Sequence, residues 1–252
     1  MIKEESRQIA SLIFEGMTSI SSVIKGGKRK IKCVWYDTSK EKTKAKEIGF
    51  LKRKAKELGF DIKSVNGSYI NELTTGNSHG GIIAECTDYT IPFLTSESIK
   101  DNGFYVMIEG IEDPYNFGYA LRTIYAAGAD GVILTMRNWM SAAGVVCRSS
   151  AGASEMLELY CEEGTTAAAI FKSKGYKIIC AGIRDSISTF EADLKKPIFL
   201  IVGGEKRGIS SALLAEADTI VRLDYGREFN GSLSAASAAS ILAYEVLRQN
   251  LK

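Results

Sequence analysis

One arginine, one asparagine, one glutamate and a cluster of hydroxyls carry the chemistry open to this chain. Arg122 falls six residues after Asn116 in EDPYNFGYALRT, where the turn residues Asp113-Pro114 precede a helical pattern. Asn116 is a candidate N-cap. A cation on the first turns of a helix works against its dipole. Arg122 is therefore either a surface arginine with its stem laid on the core, or a guanidinium fork aimed at an anion such as phosphate. Glu205 lies in VGGEKRG, between Gly203-Gly204 and Gly208. Its carboxylate can cap the helix that follows, or hold a polar ligand or a basic neighbour such as Arg122. The loop is not a P-loop, because its Lys precedes the last Gly and the GK[ST] ending is missing. It is not GxGxxG either. Asn230, Ser232 and Ser234 crowd the start of FNGSLSAASAAS. They are ordinary helix caps. The alanines that follow allow close packing and leave room for a flat ligand.

All three motifs follow apolar runs. The segments FYVMIEG, GVILT, YKIICAG, PIFLIVGG and TIVRLD alternate with helical stretches such as GYALRTIYAAGA and TTAAAIFKSKG. Ile/Val/Leu-rich strands alternating with helices predict a mainly parallel sheet covered on both faces. Ligands of such sheets sit at the carboxyl ends of the strands. Upstream, the apolar spacing predicts a helix over 2–24. A strand in KRKIKCVWYD, an amphipathic helix ending at Leu58-Gly59, and strands FDIKSV and GGIIAEC follow. The fold class is α/β, with a small α/β domain at 1–92, a linker over about 93–102 and a larger parallel-sheet domain at 103–252.

The 252 residues, 45% apolar, suffice for one large or two modest domains. No apolar run is long enough to span a membrane. The charged MIKEESRQIA start lacks a secretory h-region. Five scattered cysteines without a CxxC pair and a single histidine argue against a metal site and for reduced thiols in a cytoplasm. The net charge of +2 hides an asymmetry: residues 25–63 hold 14 Lys/Arg against 5 Asp/Glu, whereas from 101 onward the count is 15 against 18. A basic segment on a slightly acidic remainder points to a polyanion. A solvated helix face with Glu–Lys pairs is the plainer explanation.

Taken together, DPYNFGYALRT, VGGEKRG and GSLSAASAASILAYE, in that order and with SSAGA between, resemble the TrmH/SpoU family of RNA ribose 2′-O-methyltransferases of the SPOUT class. The resemblance is strong over Gly103–Lys252. Residues 14–86 resemble, more weakly, the family's L30e-like substrate-binding domain. It implies a C-terminal sheet threaded into a trefoil knot, S-adenosyl-L-methionine as cofactor, no metal, a homodimer through the C-terminal domain, and rRNA or tRNA as partner. It assigns Arg122, Asn116, Glu205 and Ser232 to catalysis. Gly203, Gly204, Leu223, Leu233 and Ser234 fall to the cofactor. The third motif departs from the family's SLNVS: Ser234 stands for the Asn and Ala236 for the second Ser. A non-catalytic RNA-binding protein acting in ribosome assembly is the alternative that this departure leaves open.

Overall fold

The computed structural model describes residues 13–74, 76, 78–135, 142–204 and 207–251. Within those limits the chain forms two compact units. One comprises residues 13–90 with 142–156, the other 91–135 with 157–251.

In the first unit, β1 (Ile13–Glu15) is followed by α1 (Gly16–Gly26), β2 (Ile31–Asp37), α2 (Ala45–Leu58), β3 (Asp61–Val65), α3 (Gly67–Leu73) and β4 (Ile82–Cys86). The sheet order is β1-β4-β2-β3, with β2 and β3 parallel and the other pairings antiparallel. Helix α2 forms because Ile48, Leu51 and Ala55 recur at helical spacing and bury one face. It stops at Gly59, whose left-handed backbone returns its N–H to the Ala55 carbonyl. The helix expected from residue 2 begins only at Gly16. Residues 13–15 are a strand against β4, with Ile13 and Phe14 both buried. Gly16 sits at φ +80°, outside helical backbone, and this breaks the run. The rest of the expected helix, residues 2–12, lies outside the described residues.

The chain continues through β5 (Phe104–Glu109), α4 (Pro114–Ala126) and β6 (Gly131–Leu134) of the second unit, then α5 (Ala143–Ser149) and α6 (Ala153–Met156) of the first. The approach of α6 to α1 is very close. A Cβ on Gly26 would fall 2.0 Å from the Glu155 carbonyl oxygen, and one on Gly152 1.8 Å from Ser22 Oγ. Arg29 pairs with Glu155 at 3.1 Å, with both side chains close to 5% exposed. The guanidinium also donates to the Thr87 carbonyl and lies over the Phe14 ring.

The second unit resumes with β7 (Leu159–Cys161), α7 (Gly164–Ser173), β8 (Lys177–Ala181), β9 (Ile187–Ser188), β10 (Ile198–Gly203), α8 (Ser211–Leu214), β11 (Thr219–Arg222) and α9 (Ala235–Asn250). Its seven strands run in the order β7-β6-β5-β10-β8-β11-β9, all pairings parallel, as the apolar strands predict. Phe171 of α7 stacks on Phe199 of β10 at 4.1 Å in the core. Helix α9 packs on α4 and β10. Residues of the 93–102 stretch are fastened to this unit. Phe93 bridges to Cys161, and the Lys100 carbonyl accepts the Tyr176 hydroxyl at 2.5 Å.

Candidate active site

Three loops leave the carboxyl ends of β5, β10 and β11. The first turns at Gly110 (φ +78°) and enters α4. Pro114 takes the first helical position, and the Asp113 carboxylate accepts the Asn116 N–H at 2.7 Å. The cap is thus Asp113, not Asn116. Proline's fixed φ suits it to that first position, which makes its predecessor the cap. Asn116 is half-buried in the first turn. Arg122 is the ninth residue of the helix, beyond the reach of the dipole penalty expected from the sequence. It is exposed, and among the described residues it has no ion pair or side-chain hydrogen bond.

The second loop folds back on its own strand. Gly203 lies opposite Glu109 in the β5–β10 ladder. The Gly204 N–H donates to the Glu109 carbonyl at 2.5 Å, and the Gly208 N–H to the Gly204 carbonyl at 3.0 Å. A Cβ on Gly203 would sit 2.4 Å from the Gly208 carbonyl carbon, and one on Gly204 2.5 Å from the Gly110 carbonyl oxygen. Backbone meets backbone here, so the fold itself requires both glycines. The Ser210 N–H is taken by the Glu109 carboxylate at 2.9 Å. Glu205 lies outside the described residues.

The third loop opens into a cleft of about 1100 Å³. Leu223, just past β11, and Leu233 both line it, together with Phe190, Tyr225 and Phe229. Tyr225 meets Phe229 edge-on at 5.6 Å, and its hydroxyl accepts the Leu233 N–H at 3.4 Å. Ser234 caps α9: its hydroxyl oxygen accepts the Ser237 N–H at 3.1 Å. Ser232 and Asn230 are exposed, and Ala236 is buried. Asp224, on the cleft wall, accepts the Ser188 hydroxyl and the Arg222 Nε–H at 2.9 Å. The Ser188 bond first, and then Arg222, holds its carboxyl below the usual range.

The structure thus brings Leu223 and Leu233 into one cleft, where Thr123, the neighbour of Arg122, joins them. Gly203, Gly204, Asn116, Arg122, Ser232 and Ser234 are not among its lining residues. The aromatic pair Tyr225–Phe229 and the Glu109–Ser210 bond were missed from sequence. Only the fold shows the two rings in contact. Among the described residues no group of three or more His, Cys, Asp or Glu side chains could hold a metal.

Residues 103–244 match the model of the SpoU rRNA Methylase family, and residues 13–92 that of RNA 2′-O ribose methyltransferase substrate binding. The 23S rRNA (guanosine-2′-O-)-methyltransferase RlmB of Shewanella oneidensis is 25% identical, covering 94% of this chain and 97% of its own. The mitochondrial rRNA methyltransferase 1 of Schizosaccharomyces pombe is also 25% identical, over 98% of this chain and 91% of its own. Among solved structures, the AdoMet-bound rRNA methyltransferase from Sinorhizobium meliloti superposes with a TM-score of 0.79 at 20% identity, covering 98% of this chain and 95% of that one. The larger family model covers more than half of the sequence, through all three strand-end loops. The chain therefore belongs to the SpoU rRNA methylase family.

Proposed function

We propose that this protein is an S-adenosylmethionine-dependent methyltransferase that modifies a ribose 2′-hydroxyl of structured RNA, ribosomal or transfer. The observation that carries the reading is that the three motif loops all leave the carboxyl side of one parallel sheet, the first two tied together by the Glu109–Ser210 bond. An exposed arginine without an ion pair among the described residues stands on the helix that packs against α9.

The cleft lined by Leu223, Leu233, Phe190, Tyr225 and Phe229 fits the flat ring faces of the cofactor's adenine. The backbone at Leu223 and Leu233 would hold it, with the Gly203-Gly204 turn and the Ser234 cap fixing the loops around it. When bound, the cofactor supplies an electrophilic methyl group on a sulfonium. Arg122 binds the phosphate beside the target ribose and stabilises negative charge developing on the 2′-oxygen. A guanidinium, with a pKa above about 12, is a poor base, so positioning is its easier role. Asn116, Ser232 and Glu205 supply hydrogen bonds to the nucleotide. Residues 1–92 act as the RNA-binding domain and 103–252 as the catalytic one.

The reading includes a trefoil knot, a homodimer through the C-terminal unit and a cytoplasmic location. Exposed Phe190, Phe229, Ile241 and Tyr244 around the cleft support a covered face, and five free thiols support a reducing compartment. A non-catalytic RNA-binding role in ribosome assembly is favoured only by the altered third motif, with Ser234 and Ala236 in place of the family's Asn and Ser. Calorimetric titration with S-adenosylmethionine separates the two. Saturable binding supports the enzyme, and no heat at millimolar cofactor supports the alternative.

A further inference from the structure

Helix α2 contains a glycine that the fold does not use. Gly49 sits mid-helix, where glycine is among the poorest formers, and a Cβ there would meet nothing within 4 Å. The close glycines Gly26 and Gly152 of the same unit are each forced by a neighbouring atom. Lys46 and Arg53, three residues before Gly49 and four after it, share its helix face. Both are exposed, and among the described residues neither has an ion pair or side-chain hydrogen bond.

Beside this stripe runs a groove of about 640 Å³ between α1 and α2. Its apolar wall is Met17, Ile24 and Phe50, and Lys25, Lys46 and Lys54 stand around it with one acid, Glu47. Glu47 is already paired with Lys44 at 3.1 Å and Lys54 with Glu57 at 2.5 Å, which leaves Lys25 and Lys46 as the cations at the groove's rim. An apolar slot rimmed by cations suits a ligand with a flat uncharged part on an anionic backbone.

We propose that this groove takes an unstacked base of single-stranded RNA, with the flanking phosphates crossing α2 over Gly49 between Lys46 and Arg53. The base packs against Phe50 and Met17, and the missing side chain at Gly49 lets the sugar-phosphate chain lie against the helix. The excess of lysines selects RNA over an apolar helix of another protein. The inference rests on RNA being the partner, as proposed above.

The test uses the full chain, a mixed-sequence single-stranded RNA oligomer, and the variants Gly49→Ala, Gly49→Leu and Lys46→Gln/Arg53→Gln. Open space at position 49 predicts that Gly49→Ala melts no lower than wild type. Gly49→Leu is expected to weaken RNA binding about ten-fold or more, the scale of one lost base–aromatic contact. The double variant flattens the salt dependence by about 0.7 per phosphate contact removed. Wild-type binding with unchanged affinity in all variants overturns the groove while leaving the RNA reading intact. A change confined to oligomeric state overturns it in favour of a protein contact. A wild-type chain that neither retains nor methylates RNA overturns both.

Discussion

Glu109 and Ser210 are joined by a hydrogen bond of 2.9 Å from the serine N–H to the carboxylate. The bond ties the end of β5 to the far side of the loop that leaves β10, and so fixes the first two motif loops to each other. A hydrogen bond to a charged group is worth about 1.5–3 kcal/mol. Glu109→Ala should therefore weaken cofactor binding by roughly ten-fold or more, read by calorimetry. Glu109→Gln should lose less, because its amide oxygen still accepts. Equal affinity in Glu109→Ala would show that the loop holds its shape without the tie.

Ser234 is predicted to act through its cap. Ser234→Ala should lower stability by about 1 kcal/mol, the usual cost of a lost N-cap. It should also weaken cofactor binding by loosening the start of α9 next to Leu233. Chemical denaturation and titration read the two effects separately. Ser234→Asp should restore the stability, since aspartate caps equally well.

The buried Arg29–Glu155 pair gives a test of opposite signs. Removing Arg29 leaves Glu155 an uncompensated charge at under a tenth exposure, and Arg29→Met should cost about 3–5 kcal/mol. Glu155→Gln should cost less, because Asp88 still faces the guanidinium at 3.7 Å. The double variant Arg29→Met/Glu155→Met should recover most of that loss. A double variant as damaged as the sum of the singles would mean that the Thr87 and Phe14 contacts of Arg29 matter more than the pair.

Tyr176 sets an alkaline limit. Its hydroxyl donates to the Lys100 carbonyl at 2.5 Å and accepts the Gly103 N–H at 2.8 Å. Burial pushes its pKa up to about 12. The fold holds the neutral form more tightly than the unfolded chain does. That stability is complete below pH of about 10 and is lost as pH rises towards 12. Tyr176→Phe should cost about 1–3 kcal/mol near neutrality, by orphaning the buried Gly103 N–H. It should also flatten the loss between pH 10 and 12. Denaturant midpoints across that range decide it.

Much of the second unit can be read from its strands. Ile198–Gly203 and Phe104–Glu109 are nearly all apolar because both faces of a parallel sheet are covered, and this marks them without ambiguity. The motif loops follow from the strand-end rule. What escaped reading depends on register or distance. The cap passed from Asn116 to Asp113 because Pro114 competes for the first helical position. Strand β1 was absorbed into a helical pattern, since Ile13 fits helical spacing with Met17 and Ile20 and three residues are too short a run to show alternation. The Arg29–Glu155 pair spans 126 residues, and nothing local marks it. Tyr225 and Phe229 are only four positions apart, yet the segment reads as loop until the backbone folds it beside Leu233.

The central claim is tested most directly by methyl transfer from tritiated S-adenosylmethionine to RNA, with digestion to nucleosides. Wild type is predicted to label a 2′-O-methylated nucleoside. Arg122→Ala is predicted to lose about a hundred-fold or more in transfer, as for a removed transition-state donor, while binding cofactor normally. Label on a base, full activity in Arg122→Ala, or no transfer to any RNA despite cofactor binding would contradict the account.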